Sequence, residues 1–162
     1  MTDTILGYLA GELYVLSDWV SWAVTTFLFG FFFIAARFTY RNFGLEYLNL
    51  DGIYKPFEAE FYKTFAFYCL WALIQQVLLT FLLAFTGMSG FAAYIFCLFL
   101  FSAGYHMGNA RLMLATALFG LFVYPFYTIT CNISVVQIAL LHAFMGTSYK
   151  LLKWDMRTWR FN

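Results

Sequence analysis

Charge is scarce in this 162-residue chain: Asp, Glu, Lys and Arg together make up 10% of it, where a soluble domain carries about a quarter. So thin a charged surface excludes an ordinary soluble domain. The net charge of +1 leaves no basic footprint for a nucleic-acid partner. Histidine is scarcer still, with only His106 and His142. The three cysteines, Cys69, Cys97 and Cys131, are far apart and lack the paired spacing of a zinc site, so they read as packing residues and no metal is expected. The N-terminal stretch has Asp3 and Glu12 but no Lys or Arg, so it lacks the basic start of a cleavable signal peptide, and the first apolar segment is expected to stay in the mature chain. No internal repeat or low-complexity tract is visible.

What is present is apolar. Hydrophobic residues make up 64% and aromatic residues 24% of the chain, with mean hydropathy +0.76. This composition predicts an all-α, polytopic transmembrane bundle forming a single membrane domain over residues 1–162. A helix of roughly 20 apolar residues crosses the hydrocarbon layer. On that measure the expected spans are 16–36, 64–85, 91–106, 112–129 and 133–151, with a Gly-Met-Ser-Gly turn at 87–90 and a kink at Pro125.

The nine basic residues orient such a bundle. Arg37, Arg41, Lys55 and Lys63 follow the first span, Arg111 follows the third, and Lys150, Lys153, Arg157 and Arg160 follow the fifth. All nine then share one side, as the positive-inside rule requires. The N-terminus is expected outside and the C-terminus in the cytoplasm, in a bacterial inner membrane. The connector 38–62 mixes aromatic and charged residues, which suits the headgroup layer, and the tail 150–162, with Trp154 and Trp159, reads as a cytoplasmic anchor.

Both histidines fall in the stretch Ser102–Thr147. An imidazole in an apolar bundle loses its hydration and needs partners, which makes it a functional candidate. Ser102 and His106 stand four apart, as do His142 and Gly146, so each pair is expected to share a helix face and two helices can aim their imidazoles into one cavity. Gln75 and Gln76, amides within an apolar run, suit cross-helix hydrogen bonds of about 0.6–2 kcal/mol each, with Gln137 in the same network. Gly104, Gly108, Gly120 and Gly146 are positions where helices can approach closely. The 22 Phe and 12 Tyr leave a flat apolar exterior, so other integral membrane proteins and lipid are the expected partners.

From Cys69 to Thr147 the order and spacing of these residues resemble the CPBP family, the type II CAAX prenyl endopeptidases and their bacteriocin-processing (Abi) relatives. That family carries a Glu-Glu-x-x-x-Arg helix, a Phe-x-x-x-His helix often continuing as His-x-x-Asn, and a His-x-x-x-Asn helix. The counterparts are Gln75-Gln76 with Thr80, then Ser102 with His106 and Asn109, then His142 with Gly146. The resemblance implies a glutamate-dependent intramembrane peptidase in which the acidic pair activates water while Arg, His and Asn position it and stabilise the oxyanion. This chain has amides where the acids belong, and an amide has no basic lone pair with which to take a proton. General-base catalysis is worth about 10²–10⁴-fold and an oxyanion donor about 10²–10³-fold, so hydrolysis is expected to be lost.

A poorer image of the first motif, Glu58-Ala59 with Lys63, reads more simply as a charge-mixed helix start. The sequence therefore points to a CPBP-like accessory or binding subunit, with Thr80, Ser102, Asn109 and Gly146 lining the pocket beside His106 and His142. Two alternatives stay open. One is an active peptidase using His106 and His142 as catalytic residues; the other is a haem- or chlorophyll-type pigment held by the same two histidines.

Overall fold

A computed structural model describes residues 2–43, 59–108 and 110–151. Among them the chain is helical apart from short turns, without a strand. Helix α1 covers Thr2–Ser17, α2 Trp19–Phe43, α3 Ala59–Thr86, α4 Gly90–Phe99, α5 Ala110–Thr128 and α6 Val135–Leu151. A π-helical turn, Leu100–Gly104, extends α4 toward His106. Most of the connector 38–62 and of the tail 150–162, including Glu58, lies outside the described residues, as does Asn109.

Helix α1 was not expected. It ends where Asp18 takes the N-cap of α2, its carboxylate accepting the Val20 N–H at 3.2 Å. The Trp22 indole donates back across the break to the Leu16 carbonyl at 2.9 Å, and the two helices meet at a bend of 74°. The turn after α3 follows the expected Gly-Met-Ser-Gly, with Gly87 at φ +67° and Gly90 at φ +57°, backbone angles that side chains rarely tolerate. Pro125 sits inside α5, where it removes one backbone donor.

The start of α6 is fixed by a reciprocal cap. The Gln137 side-chain oxygen accepts the Ser134 N–H at 2.8 Å while the Ser134 hydroxyl accepts the Gln137 N–H at 3.3 Å. The same Gln137 oxygen takes the Ser21 hydroxyl at 2.6 Å, tying α2 to α6. Gln137 therefore serves a cap and a helix junction, and its recorded partners are Ser21 and Ser134 instead of Gln75 or Gln76.

Helix α3 packs chiefly on α6, and α4 on α5. Small residues allow the first contact: Ala72, Ala139 and Ala143 are buried along it. The main core gathers Leu79, Cys97, Phe101, Val123, Tyr124, Ile138 and Leu141 from α3 to α6. Cys97 packs as expected, but Cys131 is exposed at φ +53° beyond α5 and packs nothing inside. On the outer side of α3, Phe67, Leu70, Ile74, Phe81 and Phe85 remain exposed.

Among the described residues, Phe65–Thr86 is the helical stretch long and apolar enough by itself to cross a membrane, and 22% of its apolar window is buried. Such a helix turns most of its hydrophobic surface outward, unlike the core helix of a soluble domain. The bent pair α1 and α2 passes the same test only when taken as one span. The apolar stretches 90–104, 113–128 and 135–147 are shorter, at 10–17 residues each.

Candidate functional site: a pocket between two histidines

The pocket is made by the π-helical turn. In an α-helix residues four apart share a face, but a π turn inserts one residue and rotates that relation. The Tyr105 N–H accordingly reaches back five residues to the Leu100 carbonyl. The His106 ring likewise bonds the Phe101 carbonyl through Nδ1 at 2.7 Å. A Cβ on Gly104 would stand 2.7 Å from the end of the Leu100 side chain, which would have to swing aside.

This overturns the expected pairing of Ser102 with His106. The Ser102 hydroxyl donates to the Leu98 carbonyl at 2.6 Å, and Ser102 does not line the pocket. Phe101 takes its place. Its ring meets His106 at 5.3 Å between centroids and His142 at 4.9 Å, edge-on in both cases.

The resulting cavity of about 270 Å³ lies among α3, the π turn, α5 and α6. It is lined by His106, His142, Gln75 and Gly146, which the spacing had singled out, and by aromatic rings including Tyr68, Trp71 and Tyr105. The Tyr105 hydroxyl donates to the Gln75 carbonyl at 3.2 Å and so closes one wall. Gly146 makes room for the Tyr68 ring, since a Cβ there would lie 2.6 Å from it. The buried Gln75 Oε1 and His142 Nδ1 have no hydrogen-bond partner among the described residues.

The other α3 candidates face elsewhere. Gln76 is buried and its Oε1 accepts the Tyr124 hydroxyl at 3.3 Å. Thr80 bonds the Tyr127 hydroxyl at 2.8 Å. Neither lines the histidine pocket, because adjacent helical positions point about 100° apart and only Gln75 faces it. Gln76 thus makes the cross-helix bond expected of a buried amide, and Thr80 is corrected from a pocket residue to a cross-helix tie. Asn109 is not described, and Lys63 is exposed near the start of α3, away from the pocket lining.

Among the described residues no carboxylate or thiol lines the histidine pocket, and no three His, Cys, Asp or Glu side chains gather as metal ligands. Besides Asp18, a described acid with a structural role is Glu12, on α1 ahead of the first expected span. Its Oε2 accepts the Val135 N–H at 2.8 Å, capping α6, and Tyr127 also bonds it. Burial raises its carboxyl pKa above the ordinary 4.5, with the bonds from Val135 and Tyr127 partly opposing that. Glu12 lines a second cavity of about 420 Å³ with Gly11, Met88, Tyr127 and Cys131.

Sequence reasoning missed Phe101, Tyr68, Trp71 and Glu12. For Phe101 the available signal was an aromatic five residues before a histidine, legible only once a π turn is known. No family model, curated protein or solved structure matches this chain.

Proposed function

We propose that this chain is a five-span membrane bundle of CPBP-like design that recognises a partner without cutting it, as an accessory subunit of a larger membrane protein assembly. One observation carries the reading: a single pocket holds both histidines and Gln75 and, among the described residues, has no carboxylate to act as a base. A neutral amide cannot replace that base. The Gln76 and Thr80 positions support the same reading, since both are engaged in packing instead of the pocket.

The membrane placement rests on composition, on the outward apolar face of α3 and on the nine basic residues that fall on one side of a five-span arrangement. The N-terminus then lies outside and the C-terminus in the cytoplasm of a bacterial inner membrane. The exposed rings of α3 are apolar surface of the kind that lipid or a neighbouring membrane helix covers.

Histidine proximity also favours, more weakly, a peptidase built on His106 and His142. Against it stands the His106 Nδ1, already committed to the Phe101 carbonyl. A haem or chlorophyll-type pigment fits less well: about 270 Å³ falls below the roughly 300–1,000 Å³ of common ligand pockets, and Phe101 contacts both imidazoles. A visible absorption spectrum of the purified protein separates that case.

Purification in mild detergent tests the reading. A stoichiometric integral membrane partner, lost or diminished in His142→Ala, is the expected outcome. A chain that emerges alone and cleaves membrane peptides overturns it.

A further inference from the structure

The hydrogen-bond accounting of the two imidazoles specifies what the pocket binds. The Phe101 carbonyl can only accept, so the His106 Nδ1 at 2.7 Å must carry the proton of that bond. A neutral His106 ring is then left with a lone pair on Nε2. His142 is arranged the other way. Its Nδ1 is sealed from solvent and has no partner among the described residues. An orphaned buried N–H is rarer and more costly than an orphaned acceptor, so the proton belongs on Nε2 and the sealed Nδ1 keeps the lone pair. With no carboxylate lining the cavity among the described residues, a charged imidazole would have no counterion from them. One ring therefore presents an acceptor and the other a donor.

We propose that the pocket binds an uncharged amphiphile whose head both donates and accepts a hydrogen bond, a hydroxyl or a carboxamide, on an apolar chain. The head donates to His106 Nε2 and accepts from His142 Nε2–H. The chain lies against the aromatic wall of Tyr68, Trp71 and Phe119. A carboxylate head meets the lone pair of His106 and is repelled. An ammonium head meets the N–H of His142 and finds no acid to neutralise it. At about 30 Å³ per water-sized group, 270 Å³ accommodates a head and the first part of a chain, the rest extending outward. This inference rests on the binding reading given above and names its ligand.

The chain has only two histidines, so a protein labelled with ¹⁵N-histidine reports on this site alone. Long-range nitrogen–proton spectra in detergent are expected to show two neutral rings of opposite tautomer, His106 protonated on Nδ1 and His142 on Nε2. His106→Phe assigns the remaining pair of signals. Titration with 1-decanol or decanamide is then expected to shift both rings, with a dissociation constant about tenfold below that of decane, the worth of two net hydrogen bonds. Decanol and decanamide together separate a lipid alcohol from an amide as the natural head. Sodium decanoate and decylamine are expected to leave the rings unshifted.

Identical tautomers, a charged His142, or equal shifts from decane and decanol overturn the proposal. Equal binding of decanoate or decylamine does so too. Histidine-dependent peptide cleavage by the same preparation would overturn the non-proteolytic reading and leave the tautomers as they are, so the two failures are distinguishable.

Discussion

The Phe101 ring stands edge-on to the His142 imidazole, with centroids 4.9 Å apart and planes at 90°. The same fully buried ring meets His106, Tyr124 and Phe119, which makes it the post around which the pocket is assembled. Phe101→Ala is expected to lower stability by about 3–5 kcal/mol, the usual effect of emptying a buried aromatic site. Thermal unfolding in detergent measures it, and Phe101→Leu should lose clearly less. Equal losses would mean that the ring does not shape the pocket.

Restoring the acids should not restore a peptidase. In Gln75→Glu combined with Gln76→Glu, the second carboxylate replaces a buried amide that accepts from Tyr124, and Thr80 offers no positive charge nearby to hold it. The double variant is expected to remain inactive on peptide substrates and to unfold at lower temperature than Gln75→Glu alone. Cleavage by the double variant would show that only the base had been missing.

Gly146 is small because Tyr68 occupies the space where a side chain would start. Gly146→Ala places a methyl 2.6 Å from that ring and is expected to destabilise the α3 and α6 contact by about 1–3 kcal/mol. Tyr68→Leu in the same chain should recover part of the loss. No recovery would place the cause outside this contact.

Glu12 links stability to pH. Burial raises its folded-state pKa above the ordinary 4.5, so folding takes up a proton between that value and the raised one. Its contribution is complete below 4.5 and is lost as pH rises through the folded pKa. Glu12→Gln is expected to flatten this slope while keeping an acceptor for Val135, whereas Glu12→Ala removes the cap at a loss of about 0.5–2 kcal/mol. Stability curves from pH 4 to 8, on the order of four units, compare the three proteins. Parallel curves for wild type and Glu12→Gln would contradict the assignment.

Much of the helical order was legible from the residues. Apolar runs marked the helices from α2 to α6, although α2 continues to Phe43, seven residues past the expected end, and the glycines at 87 and 90 marked the turn. The meeting of His106 with His142, and Gly146 on the His142 face, was also legible, because spacing along a helix carries over into a shared face. Spacing failed at Ser102, where a π turn changed the period, and at Gln76 and Thr80, where one step around α3 leads from the pocket into the core. Helix α1 was missed because its glycines and acids look like a polar lead-in. Its break from α2 depends on the Asp18 cap and its docking on the bonds of Glu12 to Val135 and Tyr127 and of Leu16 to Trp22. Such long-range contacts leave no local periodicity to read.

Whether this pocket recognises without cutting is tested across all substrates at once by a survey of new protein termini in membranes making the wild-type chain or His106→Ala/His142→Ala. The same set of termini is expected in both membranes. A group of cleavage products present with the wild-type chain and absent with the double variant would contradict it.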